Sequence, residues 1–378
     1  MDQLISVQPW PEADASVLAP VPEHEDLRKV MRDILQTHAS HEQVRSSVET
    51  SEGYSAELWT LLNEEMNVGS LAVPEDRGGL GFGVSVLAVV LEEAGRALLP
   101  EPLLMSAVLG ARAVLAAPIG NVPDQVVEAV LRGHLVATVA LEKPAALRVE
   151  AAGSSWRVSG QVPRVLYGDT AGLLVVEAAD SLFAVDLRHD DVVRTPLESL
   201  DLTRRQARLD LEAAPAYLLA GPGELGAVIE DLRTLGTVAL AAEQVGMIAA
   251  MLEMTCTYAG QRHQFGRPLS SFQAIKHRLA DMLVDLERAR SSARYAAAVF
   301  DMAPASAALP AAVAGATCTD AVIKAAAETV QLHGGVGFTW EHAAHFYVRR
   351  ALGDEAVFGS SRRHRARIAE LLGLNKTN

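Results

Sequence analysis

Apolar residues recur at helical spacing through the first third of the chain. Leu27 and Met31 mark one face of a predicted helix, and a glycine-rich break falls at residues 77–83. From residue 123 the pattern changes to short alternating runs, such as residues 172–177, which are typical of strands. We therefore predict a helical region followed by a compact β region.

The helical period returns after a turn at residues 221–223 and continues to the end of the chain. Four long segments carry it, at about residues 224–260, 273–301, 309–333 and 342–372. Long helices joined by short turns pack most simply as an antiparallel bundle. The predicted fold class is α+β, with a helical domain over residues 1–122, a β domain over 123–222 and an antiparallel helical bundle over 223–378.

Composition narrows the class of protein. The formal net charge is −14 and no long basic run is present, which disfavours nucleic acid and anionic membrane as partners. The chain opens without a basic, then apolar, leader, and we expect no membrane span. Cys256 and Cys318 lie in apolar helical patterns and are expected as buried free thiols, which fits a cytoplasmic location.

Residues 262–273 join two predicted bundle helices and carry groups suited to an anionic, aromatic ligand. A guanidinium suits phosphate, two amides can form hydrogen bonds, and two aromatic rings offer apolar faces. These groups belong to Arg262, Gln264, Phe265, Phe272 and Gln273. The same residues also fit a well-packed turn between helices whose exit is set by Pro268, and composition alone leaves both interpretations open.

A second candidate site lies where a predicted helix ends in glycines, at residues 331–338. Glycines let the main chain approach a ligand closely, and exposed amides can receive a pyrophosphate. The candidate residues are Gln331, Leu332, His333, Gly334 and Gly335. Because glycine is also an ordinary helix terminator, this site gains weight only together with the first.

Together the two segments resemble the acyl-CoA dehydrogenase family. Its C-terminal domain carries Arg-x-x-Phe-Gly-x-x-Leu-x-x-x-Gln and later Gln-x-x-Gly-Gly-x-Gly-aromatic, and residues 74–81 and 92–96 extend the resemblance into the first domain. The resemblance implies FAD-dependent α,β-dehydrogenation of an acyl-CoA thioester, with an electron acceptor such as electron-transfer flavoprotein. It also implies that FAD lies between the β domain of one subunit and the bundle of a neighbour, which contributes the candidate residues above.

The resemblance also locates the family's catalytic base, and this chain departs from the family there. Phe358 stands where the usual glutamate precedes a glycine, and a phenylalanine cannot remove a proton. In other members the glutamate lies on an earlier helix, directly before an arginine, and these two positions are Gly236 and Thr237 here. We therefore expect no catalytic residue on this chain, and no metal ligand is assigned.

A displaced carboxylate is the alternative source of a base. Glu243 lies two helical turns past the second position, and Asp354 and Glu355 lie near the first. Each is more simply a surface or helix-end charge.

The β domain also departs from the family. The flavin-binding loop is reduced to residues 141–145, and the segment that flanks the flavin is replaced at residues 164–166. A flavin would therefore find few hydrogen bonds on this subunit's own β domain.

The retained and lost features together predict the partner subunit of a heteromeric enzyme. Pairing with a complete homologous subunit, in an α2β2 assembly, would use this chain's contacts to the adenosine and pyrophosphate of FAD. The family includes such enzymes that act in bacterial breakdown of steroid side chains, so the resemblance implies a bulky acyl-CoA. The alternatives are a homomeric dehydrogenase or oxidase with a displaced base, a flavin monooxygenase on the same fold, and a scaffold that has lost flavin.

Overall fold

The computed structural model of the chain describes residues 10, 15–19, 21–142, 144, 147–153, 155–339 and 342–374. The α-helices are α1 (Pro22–His38), α2 (His41–Val48), α3 (Ala56–Glu64), α4 (Val84–Arg96), α5 (Ala111–Ala116), α6 (Asp124–Leu131), α7 (Leu225–Gln261), α8 (Gln273–Met302), α9 (Ala308–His333), α10 (Ala344–Phe358) and α11 (Ser361–Leu371). The strands are β1 (Ala137–Ala140), β2 (Arg148–Ala152), β3 (Ser155–Leu166), β4 (Leu173–Ala178), β5 (Ser181–Asp186), β6 (Val192–Leu197), β7 (Gln206–Ala220), β8 (His263–Gln264) and β9 (Arg267–Pro268). The predicted helix–β–helix order is confirmed.

Contacts divide the chain into two compact units. The bundle unit comprises Met1–His41, Ala88–Leu99 and Thr237–Asn378, and the sheet unit comprises Glu42–Leu87 and Pro100–Gly236. Each unit therefore combines segments that are distant in sequence. The division into three domains at residues 122 and 222 follows the type of structure and remains a prediction.

A mixed sheet lies at the centre of the sheet unit. Its strand order is β1-β4-β5-β7-β3-β2, and β6 pairs with β7. β1 runs parallel to β4, whereas the other pairs are antiparallel. Every residue of β5 is buried, as expected for a strand covered on both faces. Buried apolar residues of neighbouring strands form one core cluster, which includes Val158, Leu174, Phe183 and Leu209.

The segment Leu103–Gly110 of the sheet unit forms a π-helix with every residue buried. The hydroxyl of Ser106 accepts a hydrogen bond from the Ala137 backbone amide at 3.0 Å, which joins the π-helix to β1. Apolar residues fill nearly all of its positions, so the sequence carried no periodicity from which its geometry could be predicted.

Helix α7 is the longest element of the bundle and belongs to its core. Among the described residues it is the one helix long and apolar enough to cross a membrane, by length and composition, and its most apolar window is 78% buried inside the protein. A helix that is apolar on all sides is expected in a protein core when it is buried to this degree.

Two glycines let α4 and α7 approach backbone to backbone. A Cβ on Gly246 would overlap the carbonyl oxygen of Glu92, and a Cβ on Gly95 would overlap that of Glu243. The Glu92 carboxylate also accepts a hydrogen bond from Arg28 of α1 at 3.0 Å. Helices α1, α4 and α7 thus pack as one group.

Two sequence-based expectations were wrong. The helical pattern of residues 342–372 is interrupted at Gly359, whose φ of 103° cannot continue a right-handed helix. Ser360 then begins α11, since its hydroxyl accepts from the Arg363 backbone amide at 3.4 Å. Cys256 is exposed, because it lies on the outer side of α7, whereas Cys318 is buried as expected.

Candidate functional site

The hairpin segment, residues 262–273, leaves the end of α7 and enters α8. Strands β8 and β9 pair within it, and Phe265 and Gly266 form the connecting turn with φ values of 54° and 77°. Positive φ at both central residues is typical of tight hairpin turns, but a phenylalanine is uncommon there. Phe265 is 91% exposed, so the turn presents a large aromatic side chain to solvent.

The other candidate residues of the hairpin segment lie around this turn. Its exposed polar candidates are Arg262, Gln264 and Gln273. The half-buried Phe272 ring lies edge-on to Phe265, with 6.3 Å between centroids. The guanidinium carbon of Arg267 lies 3.9 Å from the Phe272 centroid, a cation–π contact that the sequence reading missed. The position of Arg267 between two aromatic residues was the available signal.

The glycine turn, Gly334–Phe338, follows the end of α9. Gly334 has a φ of 61° and a ψ of −139°, a conformation for which only glycine is suited. A Cβ on either Gly334 or Gly335 would meet no atom within 4 Å. These two glycines and the preceding Gln331 are exposed, so their polar groups can be reached by a ligand.

The structure separates the predicted candidates of this segment into two kinds. The side chains of Leu332 and His333 are buried, at 8% and 2% exposed. They therefore face the interior of the bundle unit, while Gln331 and the glycines face solvent. Burial of this kind could not be predicted from a five-residue motif.

The two candidate segments are brought together by side chains one helical turn before each. The rings of Tyr258 and His333 stack with centroids 4.4 Å apart, and the Tyr258 hydroxyl donates to the His333 carbonyl at 3.3 Å. Further back, the hydroxyls of Thr255 and Thr329 are 3.3 Å apart. The ends of α7 and α9 therefore lie side by side. Tyr258 was missed from sequence, although it lies four residues before Arg262 on the same helical face.

The predicted base position at the junction of α10 and α11 is occupied by an aromatic residue. Phe358 ends α10 and is half-buried. The imidazole of His364 is buried, which lowers its pKa, and it donates to the Gly359 backbone. A Cβ on Gly315 would lie 2.7 Å from the His364 ring and 2.8 Å from the Thr237 methyl group. The His364 ring and the Thr237 methyl group therefore pack close to the Gly315 backbone, and neither predicted base position carries a carboxylate.

The displaced carboxylates occupy different environments. Glu243 and Asp354 are buried, at 4% and 1% exposed, whereas Glu355 is half-buried. The Asp354 carboxylate accepts a long hydrogen bond of 3.4 Å from the buried amide of Gln244. Burial with an internal partner supports a packing role for Asp354 over proton abstraction.

The shortened loop of the β domain is held by α7 within the sheet unit. The guanidinium of Arg233 donates to the Leu141 carbonyl at 3.1 Å. Lys143 and Ala145 of this loop lie outside the described residues. In the flanking segment Val165 is buried and the carbonyl of Leu166 accepts from the Thr138 hydroxyl at 2.6 Å. The Leu166 carbonyl is thus used within the sheet unit.

The order of helical and β regions, together with these two segments, is typical of one family of enzymes, and comparison with known proteins agrees. Residues 227–373 match the acyl-CoA dehydrogenase C-terminal domain, and residues 21–120 match the acyl-CoA dehydrogenase N-terminal domain. The chain belongs to the acyl-CoA dehydrogenase family, whose members are oxidoreductases that act on acyl-CoA.

Similar proteins cover nearly the whole chain. Acyl-CoA dehydrogenase IpdE2 of Mycobacterium tuberculosis is 34% identical over 346 residues, which are 91% of this chain and 96% of IpdE2. The ChsE4-ChsE5 complex of Mycobacterium tuberculosis contains a chain with 28% identity and a TM-score of 0.85, covering 96% of this chain and 99% of that one. A chain of the Tcur3481-Tcur3483 steroid acyl-CoA dehydrogenase has 27% identity and a TM-score of 0.82, covering 93% and 98%.

Proposed function

We propose that this chain is the partner subunit of a heteromeric, FAD-dependent acyl-CoA dehydrogenase. The observation that carries the proposal is a contrast within the bundle unit. The hairpin segment and the glycine turn present exposed groups suited to FAD, while Phe358 occupies the position of the base. A subunit with this combination serves a flavin whose catalytic carboxylate belongs to another chain.

The chemistry of the exposed groups fits the adenosine and pyrophosphate part of FAD. Arg262 carries a guanidinium that can neutralise phosphate, and the exposed backbone at Gly335 leaves room for its oxygens to approach. The Gly334 amide itself already donates to the Val330 carbonyl. Phe265, at 91% exposed, and Phe272 beside it offer apolar faces to the adenosine.

The remaining predicted contacts are amides. Gln264 and Gln273 lie on the hairpin segment, and Gln331 precedes the glycine turn; all three are exposed. Each can donate and accept a hydrogen bond at the polar edge of the cofactor. They would fix its orientation without adding charge.

When bound, FAD supplies the acceptor for the hydride that leaves the β-carbon of the acyl-CoA. The α-proton is removed by a carboxylate of the partner subunit, since Phe358 has no basic group. This chain binds and orients the cofactor's phosphate end. Its reduced loop at residues 141–145 leaves the flavin ring to the partner.

The similar proteins support a mixed assembly and a bulky substrate. The ChsE4-ChsE5 complex is formed by two different chains, and the Tcur3481-Tcur3483 protein is a steroid acyl-CoA dehydrogenase. We infer an α2β2 assembly with a homologous subunit, a bulky or steroid side-chain acyl-CoA as substrate, and an acceptor such as electron-transfer flavoprotein. A cytoplasmic location accords with these partners.

Co-expression tests the proposal directly. The chain is produced alone and together with a homologous subunit that retains the glutamate, and flavin absorbance per chain and dye reduction by acyl-CoA are measured. We expect one flavin per mixed pair, activity only in the mixed complex, and little flavin on the chain alone. Full flavin and activity from the chain alone would establish a homomeric enzyme with a displaced base, and a mixed complex without flavin would indicate a scaffold.

A further inference from the structure

Three aromatic rings in contact connect the elements around the glycine turn. Tyr258 of α7 lies against His333 at the end of α9, with centroids 4.4 Å apart and planes 28° apart. His342, just before α10, also contacts His333, and the centroids of the two imidazole rings are 4.5 Å apart. We call these three residues the ring stack. It joins α7, α9 and the entry to α10 within the bundle unit.

The hydrogen bonds of His333 select one neutral tautomer. Its Nδ1 lies 2.7 Å from the carbonyl oxygen of Thr329. A carbonyl only accepts, so Nδ1 carries the proton and Nε2 is left with a lone pair. Among the described residues, the buried Nε2 has no hydrogen-bond partner. Protonating it would create a buried charge and a second N–H group without an acceptor.

His342 is also held as an accepting imidazole. Its Nδ1 accepts from the Ala344 backbone amide at 3.2 Å, at the start of α10. Burial lowers the pKa of His333. The pKa of His342 is lowered mainly by burial, and further by the nearby imidazoles of His333 and His345. Tyr258 faces the pair from α7, and no carboxylate of the described residues contributes to either shift; the sequence neighbour Glu341 lies outside the described residues.

The position of the glycine turn depends on His333. The Tyr258 hydroxyl donates to the His333 carbonyl at 3.3 Å, immediately before the backbone reverses at Gly334. Gly337 folds back so closely that a Cβ on it would lie 3.1 Å from the His333 Cβ. The imidazole acts on this arrangement through its stacking on Tyr258, whose hydroxyl holds the carbonyl from which the turn starts.

We propose that His333 is a positioning residue for the glycine turn and acts only as a neutral imidazole, so that acid weakens the retention of FAD. This inference rests on the proposed function, because it assigns the turn to FAD. His333 itself is 2% exposed, and it acts through Gly334 and Gly335 without touching the cofactor.

The pH window follows from the direction of the shift. The pKa of the histidine is lowered when the glycine turn is ordered. Such a histidine stabilises the ordered turn fully only above its ordinary pKa of about 6.5. As the pH falls below this value, the state with an open turn binds the proton more readily. Retention is therefore full above pH 6.5 and decreases toward the lowered pKa. At pH 5.5, one unit below the ordinary value, this linkage raises the dissociation constant of FAD by at most about tenfold.

The experiment measures FAD binding to the mixed complex at pH 7.5 and 5.5 for the wild type, His333→Phe and His333→Gln. Phenylalanine keeps a stacking ring, and glutamine keeps an N–H donor; neither titrates. We expect binding of the wild type to weaken at pH 5.5, by up to about tenfold, and a ratio near one for the variants. The same acid weakening in both variants would overturn the inference, because the titrating group would lie elsewhere.

A second arm is independent of flavin. Hydrogen–deuterium exchange of Gly334–Phe338 is followed in the chain alone at the two pH values, with correction for intrinsic exchange. Faster corrected exchange at pH 5.5 in the wild type, and not in His333→Phe, supports the role of the ring stack; equal exchange in both contradicts it. If the mixed complex never holds FAD, the proposed function fails, and this arm still decides whether His333 positions the turn.

Discussion

The glycine turn and the junction between α10 and α11 are both places where a bundle helix ends in a glycine, yet they are built in opposite ways. At the turn, a Cβ on Gly334 or Gly335 would meet no atom within 4 Å, and the backbone is open to solvent. At the junction, Gly359 is buried and its backbone accepts from the His364 imidazole. Exposed polar groups are available to bind a ligand, whereas the polar groups of the junction already have hydrogen-bond partners within the protein.

The contrast teaches how a subunit can lose one function and keep another. Under the proposed function, the position predicted for the base carries Phe358, while the groups proposed to contact FAD lie on exposed backbone and side chains. Four substitutions test whether the two regions are as different as their packing indicates.

Replacing Arg262 with Ala should weaken FAD binding to the mixed complex about 10–100-fold, because a charge-assisted hydrogen bond to phosphate is removed. Fluorescence titration with FAD provides the measurement. Arg288→Ala on the exposed face of α8 is the matched control and should leave the affinity unchanged. Equal losses in the two variants would show that general positive charge, and not the hairpin segment, holds the cofactor.

Replacing Gly315 with Ala should destabilise the fold by about 1–3 kcal/mol, because the new Cβ would lie 2.7 Å from the His364 ring. Urea unfolding of the chain gives the value. Gly260→Ala in α7 is the control, since a Cβ there meets nothing within 4 Å, and it should be neutral or slightly stabilising. An unchanged stability of Gly315→Ala would mean that the junction is loosely packed.

Replacing Gly335 with Ala should weaken FAD binding while leaving the stability of the fold nearly unchanged, the opposite of what is expected at Gly315. Stability should stay within about 0.5 kcal/mol of the wild type, because no atom lies near the new methyl group. FAD affinity should fall several-fold, because the methyl group hinders close approach of the phosphates. Parallel unfolding and FAD titrations separate the two effects, and a stability loss without an affinity loss would reject the assignment of the turn to FAD.

Replacing Phe358 with Glu should produce no dehydrogenase activity in the chain alone. A carboxylate restores the base, but the loop at residues 141–145 still lacks the family's hydroxyl and glycines for the flavin ring. Dye reduction with acyl-CoA substrates measures the outcome, with the wild-type chain as the reference. Activity above that reference would show that this subunit can form a complete flavin site.

Much of the fold could be predicted because its patterns are local. The change from helical period to alternation located the β region, and the strands of the main sheet, β1 to β7, lie within residues 137–220. The sequence contained a signal for the break between α10 and α11, although the apolar periodicity runs across it. Gly359 ends one helix, and Ser360 is the N-cap of the next. The π-helix Leu103–Gly110 carried none, because its apolar run has no face.

The candidate site, like the fold, could be predicted from the sequence only in part. Its motifs could be found from sequence because residue types and spacing lie within two short segments. The burial of His333, its stacking on Tyr258 and the filling of the junction by His364 depend on contacts between different helices. No local pattern encodes such contacts, so they required the structure.

The crossing of α4 and α7 has an evolutionary consequence. Gly95 and Gly246 each face a backbone oxygen of the opposite helix, and a backbone oxygen cannot be removed by changing the residue that carries it. A side chain at either position would have to be accommodated by moving the two helices apart. We therefore expect neither position to accept a larger residue in any protein that keeps this helix crossing, whatever its substrate.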